Sequence, residues 1–95
     1  MTIYALSSGS GISGVAVIRI SGLETKSIIE RLTSGNIPKP RVATLKKINK
    51  INKKELIDEG IIIWFPGPNS YTGEDMAELH VHGSRSVIET ILNEI

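Results

Sequence analysis

The chain has 95 residues, a formal net charge of +1 and an apolar content of 40%. That is enough for one small domain with a core, and too balanced in charge to mark a nucleic-acid or acidic-membrane binder. The absence of cysteine excludes disulfides, thiolate catalysis and thiolate zinc sites, and it fits a reducing, cytoplasmic setting. The longest apolar run, Ile61 to Phe65, is far short of the ~20 residues a membrane-spanning helix needs, and no secretory signal pattern opens the chain, so no membrane partner is expected.

Ile3 to Leu6 reads as a short edge strand. Ser7 to Gly14 is a glycine-serine loop in which Gly9, Gly11 and Gly14 match G-x-G-x-x-G. A dinucleotide fingerprint needs a helix to open at its last glycine, and here the β-branched Val15 to Ile20 follows, so a loop joining two strands is the preferred reading. On that second strand Val15, Val17 and Arg19 share one face. A guanidinium in so apolar a run must reach water, a carboxylate or an anionic ligand, and the local sequence leaves these open.

Ser21 is a candidate N-cap for a helix over Leu23 to Thr33, with Ile28, Ile29 and Leu32 inward and Ser34, Gly35 and Asn36 ending it. Pro38 and Pro40 stiffen the link to a strand over Arg41 to Ile48. Lys46, Lys47, Lys50, Lys53 and Lys54 then crowd a segment with Asn49 and Asn52, which reads as a solvated hairpin tip. A weak contact of these lysines with RNA phosphates is the competing reading, but no aromatic side chain is interleaved for base stacking. Leu56 to Phe65 returns as a strand whose apolar end implies cover on both faces.

Pro66, Gly67 and Pro68 break that run. After the turn, Asp75, Ala77, Leu79 and Val81 alternate with Met76, Glu78, His80 and His82, so one strand face joins a core and the other carries a carboxylate and two imidazoles. His80 and His82, with Glu78 and Glu74 on the same strand face, could hold a divalent metal; the competing reading is plain solvent-facing polarity. Without a defined third ligand the plain reading prevails, and neither a metal site nor a catalytic residue is assigned. Glu78 and Arg19 together suggest another use. A carboxylate accepts two hydrogen bonds from a fused amino-pyrimidine, and an arginine suits an acidic tail or carbonyl; mutual neutralisation is equally compatible with the spacing. The last segment carries an apolar stripe at Val87, Ile88, Ile91, Leu92 and Ile95, an amphipathic helix that Ser86 with Glu89, or else Ser84, caps. It ends on an apolar residue without a stop signal, so the chain is expected to be a piece of a longer protein. The expected order is β-β-α-β-β-β-α, an α+β fold with helices on a mixed or antiparallel sheet.

Val17 to Gly22 (Val-Ile-Arg-Ile-Ser-Gly), Lys39-Pro40-Arg41, Ile57 to Gly60 and above all Phe65 to Gly83 resemble the N-terminal domain of the MnmE/TrmE family of bacterial tRNA-modification GTPases, across nearly the whole chain. The resemblance implies a domain akin to the folate-binding domain of glycine-cleavage aminomethyltransferases, one that homodimerises, binds 5-formyltetrahydrofolate or a related one-carbon tetrahydrofolate, and continues past Ile95. It implies that Arg19 and Glu78 contact the folate. It further implies that the longer protein binds GTP with Mg and K ions and, with an FAD-dependent partner, modifies C5 of the wobble uridine of tRNA. His82-Gly83 matches the family's His-Gly, without an assigned role. The chain departs from its relatives in the loop over Gly9 to Gly14, which lacks an arginine, and at Val81 and Ser84, where relatives carry glycines. It contains no G-x-x-x-x-G-K-[ST] loop, so GTP hydrolysis is not expected of these residues. The alternative function is a purely structural dimerisation module in which Arg19 and Glu78 simply pair.

Overall fold

The computed structural model describes residues 2–6, 14–51 and 55–95. The glycine loop read at residues 7–13, and Asn52, Lys53 and Lys54 of the lysine-rich tip, lie outside them. Five strands and two helices follow one another as β1 (Ile3–Leu6), β2 (Val15–Ser21), α1 (Thr25–Leu32), β3 (Thr44–Asn49), β4 (Leu56–Phe65), β5 (Met76–His82) and α2 (Arg85–Glu94). This is the expected α+β order. The four pairings between named strands are antiparallel and the spatial order is β1-β2-β5-β4-β3, which puts β5 at the centre and β1 at an edge.

Alternation along the strands divides the sheet into two unlike faces. On one, Ala16, Ile18 and Ile20 of β2, Ala77, Leu79 and Val81 of β5, Ile62 and Trp64 of β4 and Ile48 of β3 are buried against Ile28, Ile29 and Leu32 of α1 and Ile91 of α2. The expected stripe of α2 supplies Val87, Ile88, Leu92 and Ile95 as half-buried neighbours of that cluster. The opposite face carries Arg19, Glu78, His80 and His82. Apolar cover of β4 is accordingly one-sided: Ile62 and Trp64 are buried, whereas Ile61, Ile63 and Phe65 are only half-buried.

Local boundaries differ from the sequence expectation in instructive ways. Ser21 does not cap α1. It is the last residue of β2, paired with Met76 and Ile3, and its hydroxyl bonds Thr72 Oγ1 at 2.9 Å. The helix starts two residues later than expected, behind Glu24, without a side-chain cap, and Leu23 is left exposed. Its buried Thr25 instead donates Oγ1 to Asp75 O. The C-terminal end follows the expected turn chemistry: Ser34 and Gly35 take positive φ, and Gly35 N–H donates to Glu30 O at 2.8 Å, satisfying a carbonyl of the last turn. The third strand begins at Thr44 rather than Arg41, because Arg41 occupies a left-handed turn (φ 62°) and donates from its side chain to the carbonyls of Pro66 and Asn69. Of the two candidate caps for α2, Ser84 serves, accepting from Val87 N–H at 3.2 Å.

Gly60 shows why β4 carries a glycine in mid-strand. A Cβ there would lie 2.3 Å from the carbonyl oxygen of His80, so the close approach of β4 to β5 requires its absence.

Candidate functional site

Antiparallel register brings the two charged candidates together. Arg19 lies directly opposite Glu78 across the β2–β5 pair, on the face away from the helices. Arg19 Nε donates to Glu78 Oε2 at 2.9 Å, and the carboxylate's other oxygen meets His80 Nε2 at 3.0 Å. The Glu78 side chain is 17% exposed, Arg19 52% and His80 31%, so the acid is sheltered while its cation faces water. Burial pushes the Glu78 carboxyl up, but the hydrogen bonds and charges of His80 and Arg19 outweigh it, leaving the group below its ordinary value of 4.5. At neutral pH it is an ionised acceptor.

Beside this pair lies a cleft of about 300 Å³ lined by Arg19, Phe65, Tyr71, Met76 and Glu78. Met76 and Phe65 reach it because they are register partners at the ends of β5 and β4 on the same face as Glu78. Tyr71 comes from the turn between those strands and is 93% exposed. The turn that carries it is tied down at several points. Gly67 N–H donates to Asp75 Oδ1 at 2.9 Å, Ser70 Oγ donates to Glu74 O, Thr72 bonds Ser21, and Arg41 holds Pro66 and Asn69. A flat-ringed ligand entering here meets an acceptor carboxylate, apolar walls and an aromatic rim.

The other polar side chains of the expected strand face go elsewhere. His82 receives a two-point hold from Asp58: its backbone N–H donates to Oδ2 at 2.9 Å and its ring Nδ1 meets Oδ1 at 2.8 Å. Burial raises the Asp58 carboxyl, and the hydrogen bonds from His82 and from Glu59 N–H, with the His82 charge, bring it below 3.8. Glu74, expected on the same strand face, lies before β5 in the turn and accepts from Ser21 Oγ at 3.5 Å. The four residues considered for a metal are thus split among three separate hydrogen-bonding groups, and no group of three or more metal-ligating side chains occurs among the described residues.

Sequence reasoning paired Arg19 with Glu78 on chemistry that left mutual neutralisation open and on the family resemblance, and it missed Phe65, Tyr71 and Met76 as cleft walls, as well as the Asp58–His82 contact. Met76 and Phe65 were reachable from strand alternation once β4 and β5 were neighbours. Tyr71 carried a signal of its own, as a lone aromatic in a polar turn. Asp58 and His82 stand 24 residues apart, and no local pattern links them.

Comparison with known proteins places the chain in a family. The chain is 65% identical over 95 residues to the tRNA modification GTPase MnmE of Pelagibacter ubique, covering all of this chain and 21% of that protein. It is 53% identical over 94 residues to the MnmE of Rhizobium meliloti, covering 99% of the chain and 21% of the relative. It is 50% identical over 94 residues to the mitochondrial 5-taurinomethyluridine-tRNA synthase subunit GTPB3 of Danio rerio, covering 99% of the chain and 19% of the relative. The chain therefore spans about a fifth of the length of these relatives. The family model described as the GTP-binding protein TrmE N-terminus matches residues 2–95, and the chain belongs to that family.

Proposed function

We propose that this chain is the tetrahydrofolate-binding and dimerisation module of a tRNA-modifying GTPase. The observation that carries the proposal is the sheltered Glu78 carboxylate, ionised and beside Arg19, at the wall of a cleft lined by Phe65, Met76 and Tyr71. These residues fit the ring of a reduced folate. A pteridine offers a ring N–H and an exocyclic amine side by side, which a carboxylate accepts as a pair; its faces are apolar enough for Phe65, Met76 and Tyr71; and Arg19 suits a ring carbonyl or the acidic tail. The volume is at the small end of the ~300–1,000 Å³ typical of small-molecule sites, which suits one fused ring system more than an entire folate. When bound, the cofactor supplies a one-carbon unit; Glu78 and Arg19 bind and orient it.

The rest of the proposal concerns the longer protein. A GTP site with its Mg and K ions would lie outside these residues, as would the contacts with an FAD-dependent partner and with the wobble uridine of tRNA in the cytoplasm. Relatives named as tRNA modification GTPases support that assignment. Among the described residues no helix is long and apolar enough to cross a membrane.

Isothermal calorimetry with 5-formyltetrahydrofolate on a full-length domain, wild type against Glu78→Ala, is the test. Binding by the wild type and its loss in the variant are expected; equal binding by both removes Glu78 from the site.

The second reading, a structural dimerisation module without a small-molecule ligand, is favoured by one observation. Ile3, Val15 and Leu45, all on the sheet face away from the helices, are 64%, 54% and 59% exposed, and a second copy of the chain would cover them. A dimer in light scattering whose melting temperature does not respond to folate would select this reading. The lysine-rich tip has less to recommend it as an RNA contact, since Lys50 is already paired with Glu55 at 3.3 Å. A flat response of tRNA affinity to salt would count against that contact.

A further inference from the structure

His80 stands outside the cleft, yet it touches the one acceptor the proposed ligand needs. It follows Glu78 by two residues on the same face of β5 and lies opposite Ile61 of β4. Its ring borders a second hollow of about 330 Å³, with Val15, Leu45, Ile61 and His82, on the side of Glu78 away from Tyr71. The contact to Glu78 Oε1 at 3.0 Å therefore comes from behind the carboxylate.

The geometry points to His80 as a positioning residue for ligand binding: its Nε2–H holds one oxygen of Glu78 and so keeps the carboxylate from closing onto Arg19 as a two-point pair. This inference rests on the folate-type reading of the cleft and adds to it the group that keeps the acceptor open. Arg19 engages Glu78 through Nε alone. A guanidinium offers parallel N–H donors that match a carboxylate in a fork, and such two-point pairing is the favoured arrangement wherever nothing opposes it. An ionised carboxylate has about four lone-pair sites. With one taken by Arg19 and one by His80, two remain for a ring N–H and its neighbouring amine. With His80 gone, rotation of the carboxylate onto Arg19 consumes those sites, and the ligand has to break an ion pair before it can bind. Glu78 accepts and does not donate, so the imidazole must carry a proton on Nε2. The other neighbours offer nothing that could substitute: Ile63 faces Glu78 from β4, and Tyr71 meets it only across the cleft.

The test is the affinity of the chain for 5-formyltetrahydrofolate in wild type, His80→Ala and His80→Gln, together with the melting temperature of each and the imidazole ¹⁵N spectrum of the ligand-free wild type. The alanine variant is expected to bind about tenfold more weakly, the loss of one hydrogen bond to a charged group, with an unchanged melting temperature. The glutamine variant, whose amide N–H can take the place of Nε2–H, is expected to return to within about twofold of wild type. The spectrum is expected to show a proton on Nε2. Wild-type affinity in His80→Ala, an equally weak His80→Gln, or a dominant Nδ1–H tautomer each overturns the role of His80 while leaving the cleft as a folate site. All of these measurements are made on the full-length domain, and a wild-type domain that does not bind the folate overturns both.

Discussion

The two faces of the sheet are built from the same strands and differ in almost everything else. Toward the helices, Ile18, Ile20, Ile62, Ala77 and Leu79 are fully buried and interlock with Ile29, Leu32 and Ile91. On the far face, β5 presents Glu78, His80 and His82, and the side chains around them are sheltered but not enclosed. Because the helix-side core carries the folding free energy, the other face is free to hold groups that would be costly inside. The Glu78 carboxylate is nonetheless tied to two donors there, Arg19 and His80, while Asp58, which pairs in register with the buried Ile48, holds the ring and backbone of His82 at the end of β5.

Adjacent residues of β5 offer the sharpest way to break this comparison. Leu79→Ala removes a fully buried side chain from the core and is expected to cost about 3 kcal/mol of stability in a denaturant titration. Glu78→Ala, one residue earlier, returns an already half-exposed Arg19 to water and is expected to change stability by less than about 1 kcal/mol while abolishing folate binding. If both variants unfold equally easily, the division of labour between the faces is wrong.

Gly60→Ala tests the strand contact that keeps both faces in register. Its new Cβ meets backbone, the carbonyl of His80, which cannot swing aside as a flexible side chain would. A loss of about 2 kcal/mol in the same titration is expected. A neutral Gly60→Ala would mean that β4 can move away from β5 without consequence for the core.

The cleft rim comes next in size. Tyr71 touches solvent over nearly all its surface, so Tyr71→Ala should leave the melting temperature unchanged. If its ring covers a bound pteridine, calorimetry should show about a fivefold to tenfold weaker affinity, with Tyr71→Phe close to wild type because stacking needs the ring and not the hydroxyl. Identical affinities in all three would leave Glu78 and Arg19 as the whole of the ligand recognition.

How much of this was legible in the sequence depended on whether a feature is local. The alternation of Met76 to His82 was readable because one of its two faces is uniformly apolar, and the Ser34-Gly35 stop was readable because it is turn chemistry. Ser21 misled because a serine before an apolar-periodic segment looks like a cap, whereas tertiary pairing with Met76 draws it into β2. Arg41 misled in the same way, since its left-handed turn is held by carbonyls from a segment about 25 residues later. The Arg19–Glu78 contact spans 59 residues and follows from sheet order, which periodicity does not encode. Chemistry and the family resemblance suggested the pair; the register then accounts for it.

The smallest expected effect separates the two hydrogen-bonded carboxylates, Glu78 and Asp58, by titration. Both have folded-state values below their ordinary ones, so each contributes stability that is fully present above its unfolded value and is lost as pH falls through the folded one. For Asp58 that window opens downward from 3.8, and for Glu78 from 4.5. Asp58→Asn keeps an acceptor for His82 N–H but removes the carboxylate whose folded-state value is lowered, so its stability should decline less steeply on acidification than that of the wild type. Glu78→Gln should flatten the limb that begins at the higher pH. The Asp58 change should leave folate affinity untouched, since Asp58 does not line the cleft, and the Glu78 change should remove it. If Asp58→Asn weakens folate binding as much as Glu78→Gln does, the two acids belong to one site rather than to two, and the site must be redrawn to run along β5 from Tyr71 to His82.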